Sequence, residues 1–293
     1  MIRKYLGQFK ASISHWIRWS ICTMKIDWRI ANCHEPGIAE QKYCDADVVV
    51  SLTTHGKRLQ TVYLAIESIM QQTTKPNRIL LWLSDELRGM PLPQPLQAQV
   101  KRGLEVKYCT DMRSYTKLLP TLKSCPESVI ITIDDDVIYD KQMIEWMIRD
   151  YQKDSSLIYF NRGHRITLKN GMPNKYTEWD FVISDYDISP LNFPTGMGGV
   201  LYPINCFLPE VFNDKDFMNI CPLGDDIWFK AMALYSGVSC RKVSNPMGMG
   251  NYLINEKMQD IGLLHQNLDN GKNDEQLTAV FKAYSLYDKL ILK

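Results

Sequence analysis

No stretch of this chain holds 18 apolar residues in a row, so nothing in it reads as a membrane-spanning helix. There is no CxxC pair either. The eight cysteines (Cys22, Cys33, Cys44, Cys109, Cys125, Cys206, Cys221 and Cys240) stand singly, several within apolar runs. That is the pattern of reduced core thiols and points to a reducing, cytosolic compartment. Cys33, His34 and Cys44 lack the ligand spacing of a zinc site. Net charge is scarce too: 34 Lys and Arg against 33 Asp and Glu leave +1, too little for a nucleic-acid footprint over the whole chain. Internal repeats and low-complexity tracts are missing. Lys10 and Arg18 interrupt what would be the apolar region of a secretory signal. What remains is 293 residues with 45% hydrophobic and 23% charged side chains, an ordinary globular composition with enough length for one large core.

Acidic residues are absent before Asp27, while Arg3, Lys4, Lys10, Arg18 and Lys25 supply positive charge. Across this stretch Ile2, Leu6, Phe9, Ile13, Trp16, Ile17, Ile21, Met24 and Trp28 recur every three or four residues, which predicts an amphipathic helix over residues 1–30. A basic helix of this kind with tryptophans suits the interface of the inner membrane face. Packing on its own domain or on a second copy suits it equally. Residues 31–44, with Pro36 and Gly37, read as a linker, so the chain divides into an extension over 1–44 and a folded domain over 45–293.

Within that domain the first strand is expected at Asp47–Thr54, followed by the loop His55-Gly-Lys-Arg58. A helix with Leu59, Val62, Ile66, Ile69 and Met70 inward comes next. Further strands are expected at Arg78–Ser84, Glu105–Cys109, Val129–Ile133 and Leu157–Phe160. Helices are expected at Leu96–Arg102, from Tyr115 to Leu122 and from Lys141 to Gln152. Alternating strands and helices mean βαβ units and a mainly parallel sheet. Ligands bind such sheets beyond the carboxyl ends of the strands, where Ser51–Arg58 and Asp134–Asp136 both fall. Asp111, Ser114 and Lys117 follow the third strand and point to the same crevice, there to hold a base or phosphate or simply to form a solvated loop.

The strand Val129–Ile133 is β-branched throughout, as in a strand buried on both faces, and runs into Asp134, Asp135 and Asp136. Extended backbone would turn Asp134 and Asp136 to one side and Asp135 to the other. Three adjacent carboxylates repel one another, and a hard divalent cation, Mg²⁺ or Mn²⁺, satisfies them best. Ordinary turn carboxylates are the plain alternative. Later, Pro194-Thr-Gly-Met-Gly-Gly-Val-Leu-Tyr-Pro203 carries glycines that permit close approach to a ligand. Cys221-Pro-Leu-Gly-Asp-Asp-Ile-Trp-Phe229 then opens a helix running to about Tyr235, with Asp225 and Asp226 in its first turn. One of that pair is expected to cap the helix and the other, Asp226, to act as a base. Met247–Asn251, His265 and a closing helix from Glu275 complete the chain.

The ordered set Val48-Val-Val-Ser-Leu-Thr-Thr54 with Arg58, Ile131-Thr-Ile-Asp-Asp-Asp136, Gly198-Gly-Val-Leu-Tyr202 and Gly224-Asp-Asp-Ile-Trp228 resembles nucleotide-sugar-dependent glycosyltransferases of the GT-A fold, closest to bacterial enzymes of surface polysaccharide synthesis. The resemblance covers roughly residues 46–275. It implies an α/β fold in which a Rossmann-like nucleotide-binding half is fused to an acceptor half around one mixed, mainly parallel sheet. It also implies a hexosyltransferase that uses a UDP-sugar and Mn²⁺ or Mg²⁺ and acts on a saccharide or lipid-linked acceptor. By position, Asp134 and Asp136 match the family's DXD motif, the last ligating metal and the first contacting the ribose or the metal's water. Thr53, Thr54 and Arg58 match the nucleotide loop, with Asp111, Ser114, Lys117 and Asp135 beside it. Gly198 and Gly199 match the donor-sugar segment, Asp225 and Asp226 the catalytic acids, and His265 approximately a late metal ligand. The acidic motif is Asp-Asp where many relatives have Glu-Asp. Two other readings stay open: a silent sugar- or nucleotide-binding module, and a metal-dependent sugar nucleotidyltransferase, for which Thr53-Thr-His-Gly-Lys-Arg58 is a poor phosphate loop.

Overall fold

A computed structural model of the protein describes residues 2–245, 252–255 and 271–291, with side chains from residue 14 onward. The amino-terminal half runs α1 (Ile2–Asn32), β1 (Val48–Thr53), α2 (Tyr63–Met70), β2 (Arg78–Ser84), α3 (Gln94–Val100), β3 (Leu104–Cys109), α4 (Leu119–Ser124), β4 (Val129–Thr132), β5 (Val137–Ile138) and α5 (Met143–Tyr151). The remainder runs β6 (Ile158–Phe160), β7 (Gly163–Arg165), β8 (Leu168–Lys169), β9 (Met172–Pro173), β10 (Asn192–Pro194), β11 (Val200–Tyr202), α6 (Asp214–Ile220), α7 (Asp225–Tyr235), β12 (Cys240–Lys242), β13 (Leu253–Ile254) and α8 (Lys272–Ala283).

Seven strands form one sheet in the order β12-β6-β11-β4-β1-β2-β3. Neighbours β3, β2, β1 and β4 pair in parallel, as do β6 and β12, while β11 lies antiparallel between β4 and β6. The chain therefore has the α/β class expected of it, with a mixed, mainly parallel sheet. Both faces are covered. Val129 and Ile131 enter the core under α2 and α5, whereas Ile130 between them enters the core under α7 and α8. Tyr159 and Leu201 likewise face the first core, and Ile158, Phe160, Val200 and Tyr202 the second. Burial on two sides explains why these strands read as continuous apolar runs.

Some expected boundaries move. The helix expected from Leu59 starts only at Tyr63, because Gly56–Gln60 winds as a 3-10 turn after a positive φ at Gly56. The helix expected from Tyr115 is likewise split into a 3-10 turn at Arg113–Lys117 and α4, since Pro120 cannot donate the bond that would join them. A further hairpin joins β8 and β9 across Asn170-Gly171, both at positive φ, which is the residue pair a two-residue turn demands. Residues 33–47 are tied down more firmly than a free linker would be. The Gly37 amide donates to the Arg102 carbonyl (2.8 Å), the Ala39 amide to Pro76 (2.9 Å), and Asn77 Nδ2 to the Ala39 and Gln41 carbonyls (2.9 Å each). All eight cysteines are free thiols.

Candidate active site

The carboxyl ends of β1, β4 and β6 lie on one edge of the sheet, and the loop before antiparallel β11 returns to the same edge. This brings Thr54–Arg58, Asp134–Asp136, Arg162, Gly196–Gly199 and the start of α7 together. The joining side chain is Lys117. Its Nζ lies 2.8 Å from Asp134 Oδ1 and 3.0 Å from Asp225 Oδ2, the first contact being a hydrogen bond and the second an ion pair without hydrogen-bond geometry. Lys117 is only 7% exposed. Burial by itself would pull its pKa down, but the charges of Asp134, Asp225 and Asp226 hold the ammonium well above its ordinary value.

The three aspartates do not alternate as extended backbone would have them. Strand β4 stops at Thr132, and Asp135 and Asp136 occupy a turn before β5. Both therefore meet the same cation: Arg58 Nη1 donates to Asp135 Oδ1 (2.8 Å) and Nη2 lies 3.4 Å from Asp136 Oδ2. Thr54 Oγ1 also donates to Asp135 Oδ2 (2.6 Å). Asp134 stands apart, 29% exposed, with its amide donating to the Tyr139 hydroxyl (2.8 Å). Asp136 is pushed up to about 6 by burial and by the charge of Asp134, with Arg58 pulling the other way and Asp135 adding to the rise.

At the start of α7 the expected cap is not formed. The N-cap is Gly224, and neither Asp225 nor Asp226 bonds the helix's own first amides. The two carboxylates turn towards Lys117 and Gly196 instead, because each finds a partner there. Asp225 faces Lys117. Asp226 accepts the Gly196 amide at both oxygens (3.1 and 3.2 Å). Burial, then Asp225, then Asp134 raise Asp226 to about 7, against the opposing pull of Lys117 and the Gly196 amide. The environment suits a proton acceptor working near neutral pH.

Glycines let the backbone close on this cluster. A Cβ on Gly196 would meet Lys117 Nζ at 2.6 Å and the carboxylates of Asp134 and Asp226 at 3.2 and 3.3 Å. On Gly198 it would meet the backbone nitrogen of Arg162 at 2.6 Å. A lysine tip can move and a backbone atom cannot. Gly198→Ala should therefore cost stability, by roughly 1–3 kcal/mol as an overpacking change, and lower the melting temperature, while Gly196→Ala should disturb the site more than the melt. Differential scanning of the two variants beside wild type checks this. Gly199 sits at φ +82, where side chains are strained.

Other expected residues are placed differently. Thr53 Oγ1 donates to the Trp82 carbonyl (3.0 Å) within the sheet. Asp111 is exposed and accepts the Arg113 amide (2.7 Å). Ser114 Oγ is buried without a hydrogen-bond partner, and His55 is exposed. His265 and Met247–Asn251 lie outside the described residues. Arg162 was not anticipated, although it follows β6 at the same sheet edge and the rule that drew attention to the other loops reaches it. Its Nη1 donates to Thr195 Oγ1 (2.8 Å) and its Nε is buried without a partner, while Asp226, Tyr176, Tyr252 and Asp134 are charged or polar groups it senses. Tyr176 belongs to a ring cluster in which His164 and Phe181 have centroids 4.4 Å apart and Tyr176 and Phe181 5.6 Å apart, and Phe181 is 46% exposed.

Among the described residues no three His, Cys, Asp or Glu side chains converge as a ready metal cage. The donor set nonetheless fits a hard divalent cation. Asp134, Asp135, Asp136, Asp225 and Asp226 outnumber the cations paired with them, Arg58 and Lys117.

No protein-family profile matches the chain, nor does any curated protein. Among solved structures the chain is similar to S. aureus TarS 1-349, with 14% identity and a TM-score of 0.45 over 68% of this chain and 58% of that one. The same protein in complex with UDP-GlcNAc gives 13% identity and a TM-score of 0.43 over 68% and 56%. CMP:2-keto-3-deoxy-manno-octonic acid synthetase complexed with CTP gives 10% identity and a TM-score of 0.40 over 77% and 100%. The chain thus spans less than two thirds of the TarS chain it matches.

Proposed function

We propose that this protein is a GT-A-type glycosyltransferase that moves a sugar from a nucleoside diphosphate sugar, a UDP-sugar in the first instance, to a hydroxyl of a saccharide or lipid-linked acceptor. The observation that carries this reading is the Lys117 bridge, which ties the aspartate loop after β4 to the acid pair that opens α7. Donor-side and acceptor-side carboxylates then face one crevice, as transfer between two bound substrates requires.

On this reading Asp226 takes the proton of the acceptor hydroxyl, held in orientation by the Gly196 amide. Arg162, held by Thr195 and packed under Gly198, stands beside the glycine segment that would line the donor sugar. The rings of Tyr176 and Phe181 offer the acceptor sugar an apolar wall. Asp134 and Asp136 would hold the metal. Bound there, Mn²⁺ or Mg²⁺ would supply the Lewis-acid stabilisation that a leaving diphosphate needs. Arg58 turns inward onto Asp135 and Asp136, which disfavours the loop Thr53–Arg58 as the phosphate cradle of a nucleotidyltransferase.

The primary test is hydrolysis of a panel of nucleotide sugars with Mn²⁺, in which one UDP-sugar should be consumed above background. No turnover of any donor would overturn the reading. The metal assignment has its own measurement. Calorimetric titration with UDP should show affinity rising at least tenfold, or about 1.4 kcal/mol, when Mn²⁺ is added, and chelator should reverse this. Asp136→Ala should abolish the difference. Equal affinity with and without Mn²⁺ in wild type would remove the metal from the site.

A further inference from the structure

Helix α1 carries two apolar faces, and the domain uses one of them. Trp19, Cys22, Ile26 and Ile30 pack on Leu64 of α2, Ile138 of β5 and Leu253 of β13. This face is pinned by polar contacts as well, with the Tyr63 hydroxyl donating to Asp27 (2.9 Å) and Arg29 lying 3.8 Å from Glu67. The opposite face, Trp16, Ile17, Ile21, Met24 and Trp28, stays exposed, at 64% for Trp16 and 66% for Trp28. Five large apolar side chains on one helical stripe form a contiguous patch, and such patches mark docking surfaces.

The charge pattern says what covers it. Residues 1–26 hold Arg3, Lys4, Lys10, Arg18 and Lys25 and no acid, a local charge of +5 in a chain whose total is +1. A second copy would bring the same positive charge against itself, whereas an anionic bilayer complements it. Beside the stripe lies a groove of about 410 Å³ between α1, α2 and the β5–β13 pair. Buried Ile26, Ile138 and Leu253 line it together with exposed Arg18, Lys25 and Lys141 and the half-buried carboxylate of Asp140. Apolar depth with more cations than carboxylates around it matches an amphiphile with an anionic head. No described helix is long and apolar enough to cross a membrane, so any attachment through α1 lies along the surface.

We propose that α1 docks this protein on an anionic membrane surface, its outward stripe entering the headgroup boundary and the groove taking a lipid phosphate. The groove abuts the reaction crevice. Tyr139 lines it and accepts the Asp134 amide through its hydroxyl (2.8 Å). In a surface-docked protein Tyr139 would thus link the lipid groove to the aspartate loop. The docking itself does not depend on the sugar-transfer reading.

Co-sedimentation of the full chain with vesicles of phosphatidylcholine alone, or with about one third phosphatidylglycerol, tests it. Partition onto the anionic vesicles should exceed that onto neutral ones by at least about tenfold at low salt and fall as salt rises, since screening acts within about 10 Å at 0.1 M. W16S/W28S should lose at least about tenfold of this binding with an unchanged melting temperature, because both side chains are exposed. K25Q/K141Q should lose the preference for phosphatidylglycerol. Equal partition onto both vesicle types, or unimpaired binding by W16S/W28S, would overturn the proposal. So would sedimentation showing a wild-type dimer that W16S/W28S dissociates, which would mean that a second copy covers the stripe.

Discussion

Replacing Asp226 with Asn should lower kcat by at least about 10²-fold, the ordinary size of a lost general base, and leave UDP affinity intact. The isostere keeps shape and contact with the Gly196 amide but cannot take a proton. Burial and the neighbouring Asp225 and Asp134 raise Asp226 to about 7. Wild-type kcat/KM should therefore climb with pH up to about 7 and level off above it, and the residual activity of the variant should lack that limb. Stability should move the opposite way. The ordinary value of this carboxyl is 3.8, so the folded state binds its proton more tightly than the unfolded chain does. The cost of ionising it in place accumulates as pH rises from 3.8 towards 7 and is complete above that. At pH 8 the Asn variant should accordingly melt higher than wild type, and at pH 4 the two should coincide. An inactive variant that melts lower at every pH has merely misfolded. If Asp225→Asn loses kcat while Asp226→Asn keeps it, the base is Asp225. If both stay active, the reaction does not draw its base from α7.

Lys117→Met carries the second large effect. The methionine fills the space of the aliphatic stem but leaves Asp134 and Asp225 facing each other without their shared cation. Breaking a buried pair costs about 3–5 kcal/mol, and the lower end applies here because water can partly screen the more exposed Asp134. Chemical denaturation at neutral pH should register that loss. Adding Asp225→Asn to Lys117→Met should recover part of the stability by removing one of the orphaned charges. No recovery would assign the cost to packing and not to the charge balance. The single variant should also lose transfer activity, since the aspartate loop and the acid pair would no longer be held at one spacing.

Much of this organisation is written in local pattern. The apolar runs at Val48–Leu52, Ile79–Leu83 and Val129–Ile133 specify strands buried on both faces, and their alternation with helices specifies a parallel order without further information. That order in turn sends Thr54–Arg58 and Asp134–Asp136 to a common sheet edge. The helix at Asp225–Tyr235 and the apolar periodicity of α1 are legible for the same reason, because each depends on neighbours within a few positions. The hairpin at Asn170-Gly171 is local in the same way, its turn set by two adjacent residues.

Pairings across the chain follow different physics. Whether three successive aspartates alternate or share a cation depends on where β4 ends, and it ends at Thr132 so that Asp135 and Asp136 both reach Arg58, more than 70 positions earlier. Nothing near Gly224 in sequence tells that Asp225 and Asp226 abandon the helix cap, because their partners Lys117 and Gly196 arrive from β3's loop and from the segment before β11. The two-faced character of α1 has the same origin: the sequence determined an apolar, basic helix, and only the packing of Ile26 against Leu64, Ile138 and Leu253 decided which stripe is left outside. Short-range periodicity fixes elements through backbone geometry that every residue shares. Charge pairing and burial are properties of the folded whole, since they depend on distances that exist only once the sheet has brought its loops together.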